Sequence, residues 1–120
     1  MSDTKSALKI EEREGITVVS FRDASILDAL SIQRIGKELY DVVETLNRTR
    51  IVLDFAEVRF LSSQALGVLL TLRRKADKVS ATVVLAAIRP ELYRVFTITN
   101  LNKLFSFFKT ADEAVASFAK

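Results

Sequence analysis

The amino-terminal part of the chain changes from a strand-like to a helix-like spacing of apolar residues. Residues 8–12 alternate apolar and polar, and residues 16–21 form a β-branched, apolar run after Gly15. This arrangement predicts an amino-terminal hairpin, with Gly15 supplying the positive φ that a tight turn often needs. From Asp28, which suits an N-cap, apolar residues recur at helical spacing, so the pattern predicts an amphipathic helix over residues 29–47.

The rest of the chain alternates short apolar runs with amphipathic segments. Residues 51–55 and 82–87 are apolar runs typical of buried strands, and an apolar stripe from Ala65 to Val79 predicts a second helix. Shorter elements are expected at 91–97 (helix after Pro90), 104–108 (strand) and 112–118 (closing helix). The pattern therefore predicts one α/β domain over residues 1–120, with helices packed on a mixed sheet of about five strands.

The composition removes most kinds of catalytic site. The chain has 120 residues, no cysteine and no histidine, so disulfides, thiolate or imidazole metal ligands and nucleophile–histidine dyads are excluded. Neither Asp28 nor Asp54 stands in a context that predicts a paired acid and base. We expect a protein that is not an enzyme and that needs no metal or cofactor.

The net charge of +3 is unevenly distributed along the chain. Residues 1–60 carry nine basic and eleven acidic groups, whereas residues 61–120 carry nine basic and four acidic groups. Much of the excess lies in one cluster, interrupted by Asp77, that contains Arg73, Arg74, Lys75 and Lys78. The cluster has no interleaved aromatic residues, so it predicts the solvated face of a helix rather than a nucleic-acid site.

No segment of the sequence predicts export or membrane insertion. The first six residues lack an apolar signal core, and the longest apolar runs, 65–72 and 81–88, are far shorter than the ~20 residues that span a bilayer. We therefore expect a cytoplasmic protein, either monomeric or weakly dimeric.

The serine pair Ser62-Ser63 lies between a strand pattern and a helix pattern. A helix start offers unpaired backbone N–H groups and the positive end of the helix dipole. One serine can simply be the N-cap, or a serine here can accept a phosphate, which the helix end would accommodate. Similarly, Asp54 at a strand end can position a metal or proton, or hydrogen-bond the following turn.

The segments Ile51–Phe55 and Val58–Leu69, together with the order of the elements, resemble the STAS domain, specifically the stand-alone anti-sigma factor antagonists of bacterial partner-switching systems. The likeness spans nearly the whole chain. Its later landmarks are residues 84–86, 89–91, 97–101 and 111–114.

The resemblance implies a signalling role that depends on docking. Such an antagonist binds an anti-sigma factor that is also a serine kinase; phosphorylation at the helix start ends the docking, and a phosphatase restores it. By position the phosphoacceptor is Ser63, and acidic positions near the family's site correspond to Asp28 and Asp54. The partner-binding residues implied are Asp28, Asp54, Ser62, Ser63, Gln64, Leu66 and Gly67.

Two positions depart from the family pattern. Ser62 stands where the family commonly has aspartate, and Ala65 stands where it usually has glycine. Three outcomes stay open: Ser63 is phosphorylated, Ser62 is used instead, or the domain docks without a phosphoswitch. The last outcome fits a constitutive docking subunit of a stress-signalling assembly or of a transporter.

Overall fold

The computed structural model describes residues 8–22, 25–26 and 29–118, which form seven strands and four helices. The strands are β1 Leu8–Arg13, β2 Ile16–Phe21, β3 Ser25–Ile26, β4 Arg50–Asp54, β5 Phe60–Leu61, β6 Thr82–Ala86 and β7 Phe107–Phe108. The helices are α1 Ala29–Glu44, α2 Ser63–Lys78, α3 Pro90–Ile98 and α4 Ala111–Phe118, and a single 3-10 turn covers Leu101–Lys103. This order confirms the predicted hairpin followed by alternating helices and strands.

Five strands form one mixed sheet in the order β1-β2-β4-β6-β7. β1 is antiparallel to β2, and every other neighbouring pair is parallel. Parallel neighbours need a crossover, and α1, α2 and α3 supply the three crossovers. The amino ends of α1 and α2 therefore lie at the sheet edge where the parallel strands end. The predicted mixed sheet of about five strands is confirmed.

Helices cover both faces of the sheet. On one face α1, α2 and α3 pack against alternate strand residues such as Leu53 and Leu85. On the other face Ala114 and Val115 of α4 pack against residues that include Val52. Because β4 is buried on both faces, its sequence is a continuous apolar run instead of an alternation.

The strand predicted over residues 104–108 is mostly wrong, since only Phe107–Phe108 pairs with β6. Asn100 adopts a left-handed conformation, with φ 63, between α3 and the 3-10 turn. Phe105 follows that turn and is 7% exposed. Phe105 thus packs in the core from a connection rather than from a strand, whereas Leu104 is 36% exposed.

Helix α1 ends at Glu44, three residues before its predicted end. The backbone N–H of Leu46 donates to the carbonyl of Asp41 at 2.9 Å, and Asn47 turns the chain with φ 55. Leu46 lies within the predicted helix, yet it is 48% exposed because it lies beyond the last helical turn.

A second, two-stranded sheet was not predicted. β3 and β5 pair in parallel, with Ser25 opposite Phe60 and Ile26 opposite Leu61. This pairing joins the segment before α1 to the segment before α2. It therefore fixes the direction from which the chain enters α2.

Candidate functional site

The start of α2 places two adjacent serines in different environments. Ser62 is the N-cap: its backbone is extended, with φ −87 and ψ 165, and its Oγ accepts a hydrogen bond from the backbone N–H of Ala65 at 3.2 Å. Ser62 is half-buried, whereas Ser63 is the first helical residue and is exposed. One hydroxyl therefore caps the helix, and the other is open to solvent.

The electrostatic environment of Ser63 favours an anion. The first turn of α2 contains no acidic residue. The backbone N–H groups and the positive end of the helix dipole act at this end of the helix. A negative charge added at Ser63 would therefore not be repelled by any carboxylate in the first turn of α2.

We use the name serine face for uncharged residues near Ser63 in the sequence that are exposed or half-buried. Phe60 is 57% exposed, and a Cβ placed on the exposed Gly67 would meet nothing within 4 Å. Gly67 lies one helical turn after Ser63, so this part of the helix has no side chain to obstruct an approaching partner. The serine face consists of Phe60, Ser62, Ser63, Gln64 and Gly67.

A groove between α1 and α2 begins at the serine face and has a volume of about 390 Å³. Gln64 belongs to both features. Gly36 faces Val68 across the groove: a Cβ added there would lie 3.5 Å from both γ carbons of Val68, an ordinary van der Waals contact. The groove is lined by Ile32, Gln33, Gly36, Lys37, Tyr40, Asp41, Glu44, Gln64 and Val68.

Asp54 stabilises the turn after its strand. Its carboxylate accepts a hydrogen bond from the backbone N–H of Ala56 at 2.9 Å. The residue also lines a shallow cleft of about 360 Å³, to which Lys9, Arg22 and Glu57 contribute. Neither Ser62 nor Ser63 lines this cleft. The hydrogen-bonding alternative for Asp54 is thus the one observed.

Of the other residues expected at the site, one is buried and one lies outside the described residues. Leu66 is 3% exposed and packs in the core, so its side chain is not available to a partner. Asp28 lies outside the described residues, and α1 begins directly after it at Ala29.

Phe60 is a member of the serine face that the sequence reasoning missed. The signal available was an aromatic residue, preceded by Arg59, just before the serine pair. Its exposure could not be read from the sequence, because neighbouring apolar residues such as Val58 are buried.

The basic cluster lies toward the far end of α2 and is partly ion-paired. Arg73 contacts Asp77 at 3.2 Å, and Lys75 contacts Glu44 of α1 at 3.0 Å. Lys75 also lies 5.1 Å from the centre of the Tyr40 ring. Cations at a helix carboxyl end complement the helix dipole. The prediction of a solvated helix face is consistent with these contacts.

The described residues contain neither a metal-binding cluster nor a membrane-spanning helix. Within residues 8–22, 25–26 and 29–118, no group of three or more acidic side chains is arranged to hold a metal ion. In the same part of the chain, no helix is both long and apolar enough to cross a bilayer.

Comparison with known proteins assigns the family. The model of the STAS domain family matches residues 7–114. This chain belongs to the STAS domain family. The observed mixed sheet with four helices is the fold that the resemblance implied.

Individual relatives of this STAS domain cover almost its whole length. BtrV of Bordetella bronchiseptica, which is named as an anti-sigma factor antagonist, is 23% identical over 92% of this chain and 93% of its own. An anti-sigma factor antagonist from Mycobacterium paratuberculosis is 26% identical, with a TM-score of 0.82 over 94% of this chain and 93% of that one.

The solved structures of the antagonist SpoIIAA share the fold. Its unphosphorylated form superimposes with a TM-score of 0.80 at 20% identity, over 94% of this chain and 96% of that one. The Bacillus protein in its phosphorylated form gives a TM-score of 0.73 at 19% identity, over 93% of this chain and 99% of that one.

Proposed function

We propose that this STAS domain is an anti-sigma factor antagonist of a bacterial partner-switching pathway. In the cytoplasm, its serine face docks onto an anti-sigma factor that is also a serine kinase, and phosphorylation of Ser63 ends the docking. A phosphatase restores the docking form. The domain itself catalyses nothing, since it contributes only the acceptor hydroxyl and the kinase supplies the chemistry.

The observation that carries this proposal is the contrast between the two serines. Ser63 is exposed at the first helical position, whereas the Oγ of Ser62 accepts the capping hydrogen bond from Ala65. A kinase must reach the hydroxyl with its own active site, which favours the exposed residue. The relatives named as antagonists, and the existence of a phosphorylated form of SpoIIAA, support the same role.

The physical basis of the switch is the charge of the phosphate. A phosphoserine carries about −1.5 to −2 charges near neutral pH. The helix start accommodates this charge, so the fold persists. A partner surface fitted to a neutral hydroxyl, however, would have to desolvate a dianion. The free-energy cost of this desolvation weakens binding and releases the partner.

Mapping the phosphate tests the proposal. The protein is incubated with ATP and the kinase-type anti-sigma factor encoded in the same genome, and the modified residue is located by tandem mass spectrometry. We expect one phosphate on Ser63, none on S63A and continued modification of S62A. Phosphate on Ser62 alone, or on neither serine of a protein that still binds the kinase, would overturn the Ser63 switch. Binding without any phosphate would identify a constitutive docking subunit.

A substitution at Gly67 tests whether the serine face is the surface that contacts the anti-sigma factor. Replacing Gly67 with Gln adds an uncharged side chain to the serine face at an exposed position that has space for it. We expect binding to the anti-sigma factor to fall at least tenfold while the melting temperature is kept. The matched control is K78Q, which places the same side chain in the last turn of the same helix. Equal affinity for wild type and G67Q would place the contact elsewhere.

A further inference from the structure

The outer edge of β1 is an extended strand edge that no bulge or proline interrupts. β1 is the first strand of the sheet order, so no strand of the described residues lies beyond it. Its register with β2 runs without a bulge from Leu8 opposite Phe21 to Arg13 opposite Ile16. Natural edge strands are protected by short length, bulges, proline or charged side chains. β1 has six residues with no bulge and no proline, so its protection comes from charged side chains such as Lys9 and Glu11.

The hairpin turn determines which backbone groups face outward. Glu14 and Gly15 both have positive φ, 53 and 81, as in a two-residue type I′ turn, in which Arg13 and Ile16 form a hydrogen-bonded pair. Hydrogen-bonded and non-hydrogen-bonded pairs then alternate along the ladder. Ile10 falls in a non-hydrogen-bonded pair, so its N–H and C=O point away from β2. Its side chain is also 44% exposed.

We propose that this edge pairs with β1 of a second copy of the chain. The two strands run antiparallel about a two-fold axis at Ile10, so that each Ile10 exchanges backbone hydrogen bonds with its equivalent. In this register Lys9 of each copy lies opposite Glu11 of the other. The result is one continuous sheet across two domains.

The charge pattern selects this register over its neighbours. A shift that keeps the same hydrogen-bonding groups outward moves the axis to Lys9 or to Glu11. The first shift sets lysine against lysine, and the second sets glutamate against glutamate. Opposite charges on facing strands are favourable and like charges are unfavourable. Of these three registers, only the one centred on Ile10 gives two attractive pairs.

Both charged side chains are available for this pairing. Lys9 is exposed and has no carboxylate partner within ion-pair distance among residues 8–22 and 29–118. The Glu11 side chain is 41% exposed and lies 3.4 Å from Arg13, whose shorter contact is to Asp112 at 2.7 Å. Glu11 can therefore receive the lysine of the second copy without leaving Arg13 unpaired.

Sedimentation of the full chain tests the proposal directly. One strand pairing buries less area than a standard interface, so we expect a reversible dimer with a dissociation constant on the order of 100 µM. Velocity runs from about 10 µM to 1 mM should follow a monomer–dimer equilibrium that weakens in high salt. A protein that stays monomeric throughout this range would overturn the proposal.

Charge reversal distinguishes edge pairing from any other dimer. K9E and E11K should each weaken dimerisation roughly tenfold or more, because each turns two attractive pairs into repulsive ones. The double variant K9E/E11K should dimerise again, a recovery that structural damage would not give. If all three dimerise like wild type, or if the double variant does not recover, the pairing is wrong.

A proline at Ile10 gives a second, independent test. The N–H lost in I10P points away from β2, and proline is tolerated at such edge positions. We expect I10P to remain folded by circular dichroism and to lose dimerisation. The control I10T keeps the N–H and should still dimerise. A folded I10P that dimerises as well as I10T would contradict pairing through this edge.

Discussion

The two ends of helix α2 carry opposite kinds of surface on one continuous element. The amino end has no acidic residue in its first turn and exposes Ser63, whereas the far end carries Arg73 and Lys75 in contacts with Asp77 and Glu44. At 1.5 Å per residue, 16 residues separate the two ends by roughly 24 Å. A phosphate would therefore change the charge of one end without disturbing the ion pairs of the other. Under the proposed function, the contrast implies that a phosphate at Ser63 acts on docking rather than on the fold.

The largest expected effect comes from the apolar stripe that both ends share. Leu69 is 3% exposed in the middle of α2 and packs in the core. We expect L69A to lower the free energy of unfolding by about 3 kcal/mol, through lost burial and the cavity left behind. Urea denaturation measures the change. The control is L70A at a half-buried position, which should cost clearly less. Equal losses of stability in L69A and L70A would mean that Leu69 does not belong to a buried stripe along α2.

The second effect separates the two serines. S62A removes the N-cap acceptor of the Ala65 N–H and should cost about 1 kcal/mol of stability. S63A removes an exposed hydroxyl that makes no hydrogen bond to the described part of the chain, and it should change stability by less than about 0.5 kcal/mol. Denaturant midpoints of the two variants measure the difference. A larger cost for S63A than for S62A would reverse the assigned roles.

The third effect concerns Gly67, the position on the serine face that has no side chain, and asks whether glycine there lowers the stability of the fold. Gly67 lies inside α2, and a Cβ there meets nothing within 4 Å. G67A should therefore raise the free energy of unfolding by roughly 0.5–1 kcal/mol, because alanine favours the helix over glycine. Thermal melting monitored by circular dichroism measures the gain. A destabilised G67A would indicate that this position is not open.

The smallest effect belongs to the basic end. The Lys75–Glu44 pair is partly exposed, with side-chain exposures of 31% and 52%. A double-mutant cycle with K75A and E44A should give a coupling of about 0.2–1 kcal/mol, reduced in high salt by screening. A coupling well above this range would mean that the basic end contributes more to stability than the serine end.

The fold was predictable because each principal element has its own periodicity. The alternation in residues 8–12 and the helical spacing after Asp28 reflect local geometry, and the continuous apolar run of β4 reflects burial on both faces. The segment 104–108 was not predictable, because a run of apolar residues has the same pattern whether it is a strand or a buried connection. The left-handed conformation of Asn100 and the 3-10 turn after it leave only Phe107–Phe108 in a strand.

The site was predictable in part. The serine pair stood out because it separates two periodicities, but its two hydroxyls could not be told apart without the capping hydrogen bond from Ala65. The exposure of Phe60 and the burial of Leu66 depend on how β3, β5 and α2 pack. These are tertiary facts, and residue type alone does not indicate them.

The most direct measurement of the central claim is the affinity of the two phosphorylation states for one partner. Protein phosphorylated at Ser63 and unmodified protein are titrated separately into the kinase-type anti-sigma factor by isothermal titration calorimetry. The account predicts binding that is weaker by on the order of 100-fold after phosphorylation, equivalent to about 2.7 kcal/mol, with the melting temperature of the domain preserved. Equal affinity of the two states would contradict it.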